Sequence, residues 1–376
     1  MIYLDYHATT PIFPEAWESM RPFQTEHFGN PASAHQAGRR ARRALEDARE
    51  KTASLLGAFA DEVIFTSGAT EANNLALFGL MGDAPAAILA SPMEHPCVIE
   101  PLKQLASRGF EIDWLPVSSQ GLIEVGEVKN RLRPDTRLLS IMLVNHEIGS
   151  IQPISEIASL LHEQATLFHC DAAQAVGKLP LHFHQLGVDA LSVSAHKFHG
   201  PKGIGLLLLK RCTVLQPQLF GGHQQKGRRP GTESVALAVG LTTALEICTR
   251  LMTERLVKVT AIRDRFLQRI QEKVKAMTVN SPIEKNSPYV LNLSFLGCRA
   301  EMLLLKLDLM GVACSTGSAC SSGSLLASPV LRAMAASEAV LGSAMRFSFD
   351  PEIDESEIDS AAEKVIQAVG RVAGGD

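Results

Sequence analysis

No stretch of the 376-residue sequence approaches the run of about 20 apolar residues that a membrane-spanning helix requires. The first residues carry no basic region, and Asp5 interrupts the opening apolar stretch, so a secretory signal is not expected. No CxxC pair occurs among the seven cysteines, at positions 97, 170, 212, 248, 298, 314 and 320, which excludes zinc-ribbon and thioredoxin-type spacings. An odd, scattered set of thiols suits a reducing cytoplasm. There is no large excess of one charge: 36 basic against 40 acidic residues gives a net charge of −4, and no reason to expect nucleic acid or an anionic membrane as partner. The basic run Arg39-Arg40-Ala41-Arg42-Arg43 lies at helical spacing from Glu46, Asp47 and Glu50 and reads as an ion-paired, solvated helix face. His182 and His184 have no third ligand at a usual spacing, so no metal site is expected. Internal repeats and low-complexity linkers are also missing.

What remains is the composition of a soluble globular protein, 46% apolar and 20% charged, in a chain long enough for two domains. Strand-like and helix-like stretches alternate from about residue 40 to 250. Glu62–Thr66, Ala86–Ala90, Leu138–Val144, Leu167–Asp171, Ala190–Val193 and Gly205–Leu209 read as strands, and helices are expected from about Glu71, over Cys97–Arg108 and over Ile154–Gln164. This alternation predicts an α/β fold with a mostly parallel sheet between helices, whose ligand site lies outside the carboxyl ends of the strands. From about Thr253 a long amphipathic helix leads into a smaller α+β region. There, strands are expected near Tyr289–Phe295 and Met345–Phe349, and helices over Ala300–Leu307 and Ser356–Val372.

Four segments carry chemistry. Thr66-Ser67-Gly68-Ala69-Thr70-Glu71 turns a strand end into a helix start, where backbone N–H groups and hydroxyls bind anions; an ordinary N-cap has the same look. Asp171, ending a strand, suits either a helix cap or a carboxylate that keeps a pyridinium nitrogen protonated. Ser192–Gly203 places Lys197 directly after a buried strand, ready to form a Schiff base, with Lys202 as the second choice. Cys314–Gly323 is a small, polar, glycine-bearing loop around Cys320. An exposed thiol is usually avoided, so one kept there is a candidate nucleophile.

Taken together, Tyr3–Pro11, Phe28-Gly29-Asn30-Pro31-Ala32-Ser33, Ser67–Glu71, Ser194-Ala195-His196-Lys197 and Gly317-Ser318-Ala319-Cys320 closely resemble the NifS-like cysteine desulfurases of group I. These are fold-type-I pyridoxal-phosphate (PLP) enzymes of the class-V aminotransferase group, and the motifs follow family order along nearly the whole chain. The resemblance implies a large domain over 15–252 with a seven-stranded-type sheet, and a small domain from 1–14 and 253–376 that carries the Cys320 loop. It implies that Lys197 holds PLP and shuttles a proton, that His95 stacks on its ring and assists proton transfer, and that Asp171 pairs with the ring nitrogen. Gln174 would bond the phenolic oxygen. Ala69, Thr70, Ser194 and His196 would hold the phosphate, and Thr232 would reach the phosphate of the other subunit of a homodimer. Arg346 would clamp the substrate carboxylate, a task for a planar bidentate donor, beside Asn30, Ala8 and Thr9. Cys320, as thiolate, would take sulfur from L-cysteine, leave L-alanine, and pass the persulfide to an acceptor for iron–sulfur cluster or other synthesis.

Two departures stand out. Where the family usually reads Val-Asn-Asn-Glu-Ile-Gly, this chain has Val144-Asn145-His146-Glu147-Ile148-Gly149, so His146 falls on the asparagine that contacts the phenolic oxygen. Cys314 adds a second thiol to the loop and is expected to be a spectator. Housekeeping members continue into a tail that docks the iron–sulfur scaffold; this sequence stops at Asp376, which counts against that one partner. An aminotransferase or kynureninase-type lyase needs no thiol loop, so Cys320 separates those from a desulfurase, and a comparison of substrates separates a selenocysteine lyase. A merely sulfur-binding scaffold would not need Lys197, Asp171, His95 and Thr70 together.

Overall fold

The computed structural model describes residues 1–162, 164–282, 284–316 and 328–373. Cys320 and its Gly-Ser-Ala neighbours therefore lie outside the described residues. A short strand, β1 (Ile2–Tyr3), opens the chain. The strand-like runs expected between residues 62 and 209 join in one sheet built from β2 (Val63–Thr66), β3 (Ala87–Ala90), β4 (Glu111–Trp114), β5 (Thr136–Ser140), β6 (Leu167–Asp171), β7 (Ala190–Ser194) and β8 (Gly205–Leu209). Its order is β2-β8-β7-β6-β5-β3-β4, a seven-stranded sheet in which β8 runs antiparallel to both its neighbours and every other pairing is parallel. Both faces of its central strands are buried. Along β8, Leu206 and Leu208 join one apolar core with Leu45, Phe65 and Leu241, whereas Leu207 and Leu209 join the other with Leu75, Ile88 and Leu102. A strand covered on both faces reads as a continuous apolar run, which is why Gly205–Leu209 shows no alternation.

Helices α1 (Pro14–Thr25) and α2 (Gln36–Leu56) pack on the helix Val235–Arg250, and α3 (Ala69–Met81) packs on α4 (Pro96–Ser107). Two of these starts shape the site. Pro96 takes the first position of α4, where a missing N–H matters least, and the His95 ring caps it by accepting from the Cys97 N–H at 3.2 Å. Gly68 precedes α3 with φ 155° and offers no side-chain cap.

Strand β5 ends at Ser140, four residues short of the expected Leu138–Val144 run. Pairing with β6 persists through Ile141 N–H to His169 O (3.2 Å) and Leu143 N–H to Asp171 O (2.9 Å). On the other edge β3 has already ended, and the Met142 N–H goes to the Glu94 carboxylate at 2.6 Å. The apolar run is buried all the same, but it is half strand and half the floor of the site.

Beyond Leu251 the chain bends by 73° into the helix Met252–Lys273. An antiparallel sheet of β9 (Met277–Val279), β10 (Val290–Phe295) and β12 (Ala344–Ser348) follows, in the order β12-β10-β9, while β11 (Val312–Ala313) pairs with β1. Phe266, Phe295, Phe347 and Phe349 fill its core with Leu4, under the helix Glu355–Ala373. Residues 4–10 cross from this core to the large sheet: Asp5 bridges Ser348, and the Thr10 N–H reaches His196 O at 3.0 Å. Among the described residues no single helix is long and apolar enough to cross a membrane.

Candidate active site

Four chain segments end or begin at the same edge of the large sheet: β2, β6 and β7 by their carboxyl ends and β8 by its start. They surround a cavity of about 550 Å³. Ala8, Thr9, Ala69, Thr70, His95, His146, Asp171, Gln174, Ser194, His196 and Lys197 all line it. Residues far apart in sequence thus meet where the fold class places a ligand.

The floor is anionic at one point. Asp171, buried at the end of β6, accepts from the Asn73 side-chain amide at 2.7 Å and from the Ala173 N–H at 2.9 Å. The Lys197 ammonium, also lining the cavity, donates to the carbonyls of His7 (2.6 Å) and Ala8 (2.9 Å). Lys202 also lines the cavity but is exposed.

The start of α3 is a cradle for an anion. With no side-chain cap at Gly68, the first N–H groups of the helix meet the cavity beside the Thr70 and Ser194 hydroxyls and the His196 ring. Glycine is required on both sides of this turn. Gly68 has a positive φ of 155°, and a Cβ on Gly205 would stand 2.3 Å from Val193 O and 2.7 Å from Gly68 Cα. His196 donates to or accepts from Thr9 Oγ1 at 3.1 Å, and burial, with the charges of Lys197, Lys202 and Lys178, holds its pKa down to about 4.

His146 sits against His95, ring centroids 5.2 Å apart and planes at 73°. Burial above all, with the cationic Arg346 and Lys197 nearby, keeps it well below the usual imidazole range, so it is neutral at pH 7. Its Nδ1 is buried and has no hydrogen-bond partner among the described residues, which is unusual for a native site and suits a ligand atom in the cavity. The preceding Asn145 is taken up by the turn itself: its Oδ1 accepts from the N–H groups of Glu147 (2.9 Å) and Ile148 (3.0 Å). Gln174 gives one amide hydrogen to His7 O (2.9 Å) and accepts from buried Lys178 (2.7 Å). A carboxylate, a lysine, an uncapped helix start with hydroxyls, and an unpartnered imidazole nitrogen together fit a phosphorylated aromatic aldehyde such as PLP.

Three expected residues do not line the cavity. Asn30 is exposed, and its Oδ1 accepts from the Ala32 N–H (2.9 Å) in the turn before α2. Thr232 is exposed in a neighbouring hollow of about 170 Å³, in a segment tied to the first turn of α3 by the Arg229–Glu71 pair at 2.7 Å. Arg346, on β12, is buried behind His146; it donates to the His146 carbonyl (3.2 Å) and to Asp5 (2.8 Å). Asn73, Cys97 and His7 also meet at this site, through partners distant in sequence. Asn73 lies one helical turn after Thr70, the single signal that could have pointed to it.

Comparison with known proteins gives a consistent result. The model of the class-V aminotransferase family matches residues 2–360. A cysteine desulfurase IscS of Dictyoglomus turgidum is 44% identical over 92% of this chain and 89% of its own. A putative cysteine desulfurase IscS 1 of Bacillus subtilis is 41% identical over 99% of both chains. A solved NifS-like protein superposes with a TM-score of 0.92 at 33% identity, over 98% of this chain and 99% of its own.

Proposed function

The chain belongs to the class-V aminotransferase family and to the cysteine desulfurases within it, and on that footing we propose which of its residues perform each part of the reaction. The protein is a PLP-dependent enzyme that converts L-cysteine to L-alanine and hands the sulfur, carried as a persulfide, to an acceptor. When bound, PLP supplies the electron sink that makes the Cβ–Sγ bond of cysteine cleavable. In the proposed arrangement Lys197 holds the cofactor and moves the α-proton, and Asp171 keeps the ring nitrogen protonated. His95 covers the ring, while His146 and Gln174 meet its phenolic oxygen. The Ala69 and Thr70 N–H groups, the Thr70 and Ser194 hydroxyls and His196 hold the phosphate.

Arg346 binds the substrate carboxylate by exchanging Asp5 for it, beside Ala8 and Thr9. Cys320 is the thiolate that receives the sulfur. A homodimer fits the same reading, with Thr232 reaching the partner subunit's phosphate site. The exposed Thr232 and the exposed Leu219 and Phe220 nearby in sequence support it. Two folding units, 15–252 against 1–14 and 253–376, are supported by the 73° bend at Leu251 and by the separate phenylalanine core. The proposed compartment is a reducing cytoplasm, where free thiols persist, and the proposed acceptor is a protein that uses the sulfur for iron–sulfur cluster assembly or for another sulfur-containing product.

The observation that carries these assignments is the meeting of Lys197, Asp171 and the uncapped start of α3 in one cavity. The test is to load the purified protein with PLP, add cysteine without reductant, and locate added sulfur by mass spectrometry. One extra sulfur on Cys320 is expected. Cys320→Ala should keep the yellow cofactor yet release neither sulfide nor alanine; normal release by that variant would remove Cys320 from the reaction.

A further inference from the structure

Beneath the cavity floor lies a group of buried polar side chains that the assignments above do not use. Asn73, His169, Ser140 and Ser192 are fully buried, and Cys97 is partly buried at the start of α4, lining the cavity. Their contacts form a branched chain. Ser140 Oγ lies 2.9 Å from His169 Nδ1; His169 Nε2 lies 3.1 Å from both Asn73 Oδ1 and Ser192 Oγ. Asn73 Nδ2 lies 2.7 Å from Asp171 Oδ2 and 3.0 Å from Cys97 Sγ, and that sulfur lies 2.9 Å from His95 Nδ1.

We propose that Asn73 and Cys97 are positioning residues of this site, forming a one-way hydrogen-bond chain that fixes the orientation of Asp171 and the ring proton of His95. The directions follow from the acceptors at the ends. An ionised Asp171 only accepts, so the Asn73 nitrogen must face it and the Asn73 oxygen must face His169. His169 Nε2 therefore carries a proton. Its ring is neutral, burial holding its pKa down to about 4, so Nδ1 is bare and the Ser140 hydroxyl donates to it. His169 thereby locks the Asn73 amide against the flip that would turn its oxygen on Asp171.

The second hydrogen of the Asn73 amide goes to the Cys97 sulfur. The Cys97 S–H then points to His95 Nδ1, which the Cys97 backbone N–H also approaches at 3.2 Å. With Nδ1 accepting twice, the proton of neutral His95 sits on Nε2. Burial, with Asp171 and Glu94 nearby, pushes the Cys97 thiol up, away from the thiolate, so this cysteine is a hydrogen-bond donor and no rival nucleophile to Cys320.

This rests on the cavity being the PLP site, and the experiment separates the two. Cys97→Ala and Cys97→Ser are compared with wild type as holoenzymes, by the pH midpoint of the visible cofactor band and by kcat and KM for cysteine. In Cys97→Ala the band midpoint should move. Its kcat should fall about five- to tenfold, the effect of losing one hydrogen bond of ordinary strength, with KM little changed. Cys97→Ser, whose hydroxyl donates and accepts in the same directions, should return kcat to within about twofold of wild type and restore the midpoint. In cofactor-free wild type, 15N shifts of the His95 ring should report the Nε2–H tautomer, a readout that stands even if the alanine variant loads poorly. An unmoved band and kcat in Cys97→Ala, a serine variant no better than alanine, or an Nδ1–H tautomer would each overturn the chain. A colourless wild type would sink the PLP site along with it.

Discussion

Lys197 and Lys202 both line the cavity, and reduction of the loaded protein with borohydride should place the pyridoxyl adduct on Lys197. Lys197→Ala should abolish the adduct and lower kcat by at least about a thousandfold, as removal of a covalent catalytic group does. An adduct that stays, now on Lys202, would reverse the assignment. His146 is held neutral by burial and by the positive groups around it, so it does not titrate near pH 7. His146→Asn should therefore change kcat by only about threefold either way, within the range of one hydrogen bond, and leave the shape of the pH–rate profile between pH 6 and 8 as it is. A lost or new inflection there would show that the imidazole titrates in the working enzyme. Residues at strand ends were legible in the sequence because their chemistry and their local setting coincide: Lys197 follows a strand, Thr70 opens a helix, Asp171 ends a strand. Asn73 and Cys97 were not, because what makes them matter is a set of partners from β5, β6, β7 and α4, and no local pattern encodes that meeting.

The turn Ser67–Ala69 depends on a neighbour that runs the opposite way. Strand β8 enters the sheet beside Gly68, and its first residue, Gly205, leaves no room for a methyl group between Val193 O and Gly68 Cα. Gly205→Ala should push the α3 start and the β7 end apart and loosen the phosphate cradle. Cofactor affinity should fall about tenfold or more, with a melting temperature lower by several degrees from overpacking. Fluorescence titration of PLP and a thermal melt read both; unchanged affinity would mean that the cradle does not rely on this close approach. The apolar run Gly205–Leu209 announced a buried strand but not its direction, since a run buried on both faces looks the same either way. The early end of β5 was equally hidden: Ile141–Val144 is as apolar as the strand before it, and only the Glu94 carboxylate taking the Met142 N–H shows where the ladder stops.

Across the whole molecule the buried histidines set how stability answers to acid. His7, His95, His146, His169 and His196 all have pKa values below the ordinary 6.5, with burial the largest cause in each. A depressed imidazole contributes stability that is fully present above pH 6.5 and is lost as pH falls towards its folded value, because the unfolded chain takes up the proton first. Two buried acids work against this. Burial raises Glu94 well above 4.5 and Glu147 to about 7, and a raised carboxyl contributes stability that is present below pH 4.5 and lost as pH rises through its folded value. The depressed histidines outnumber the raised buried acids, so between pH 5 and 6.5 the unfolded chain takes up protons more readily than the folded one. Each proton bound in excess is worth at most about 1.4 kcal/mol per pH unit, so acidification across that window should destabilise the cofactor-free protein. Urea midpoints at pH 6.5 and pH 5 measure it. His7→Asn takes one imidazole away and should reduce the slope, by at most about 1.4 kcal/mol per pH unit. Equal midpoints at the two pH values would mean that these rings charge inside the fold without penalty, which their burial does not allow.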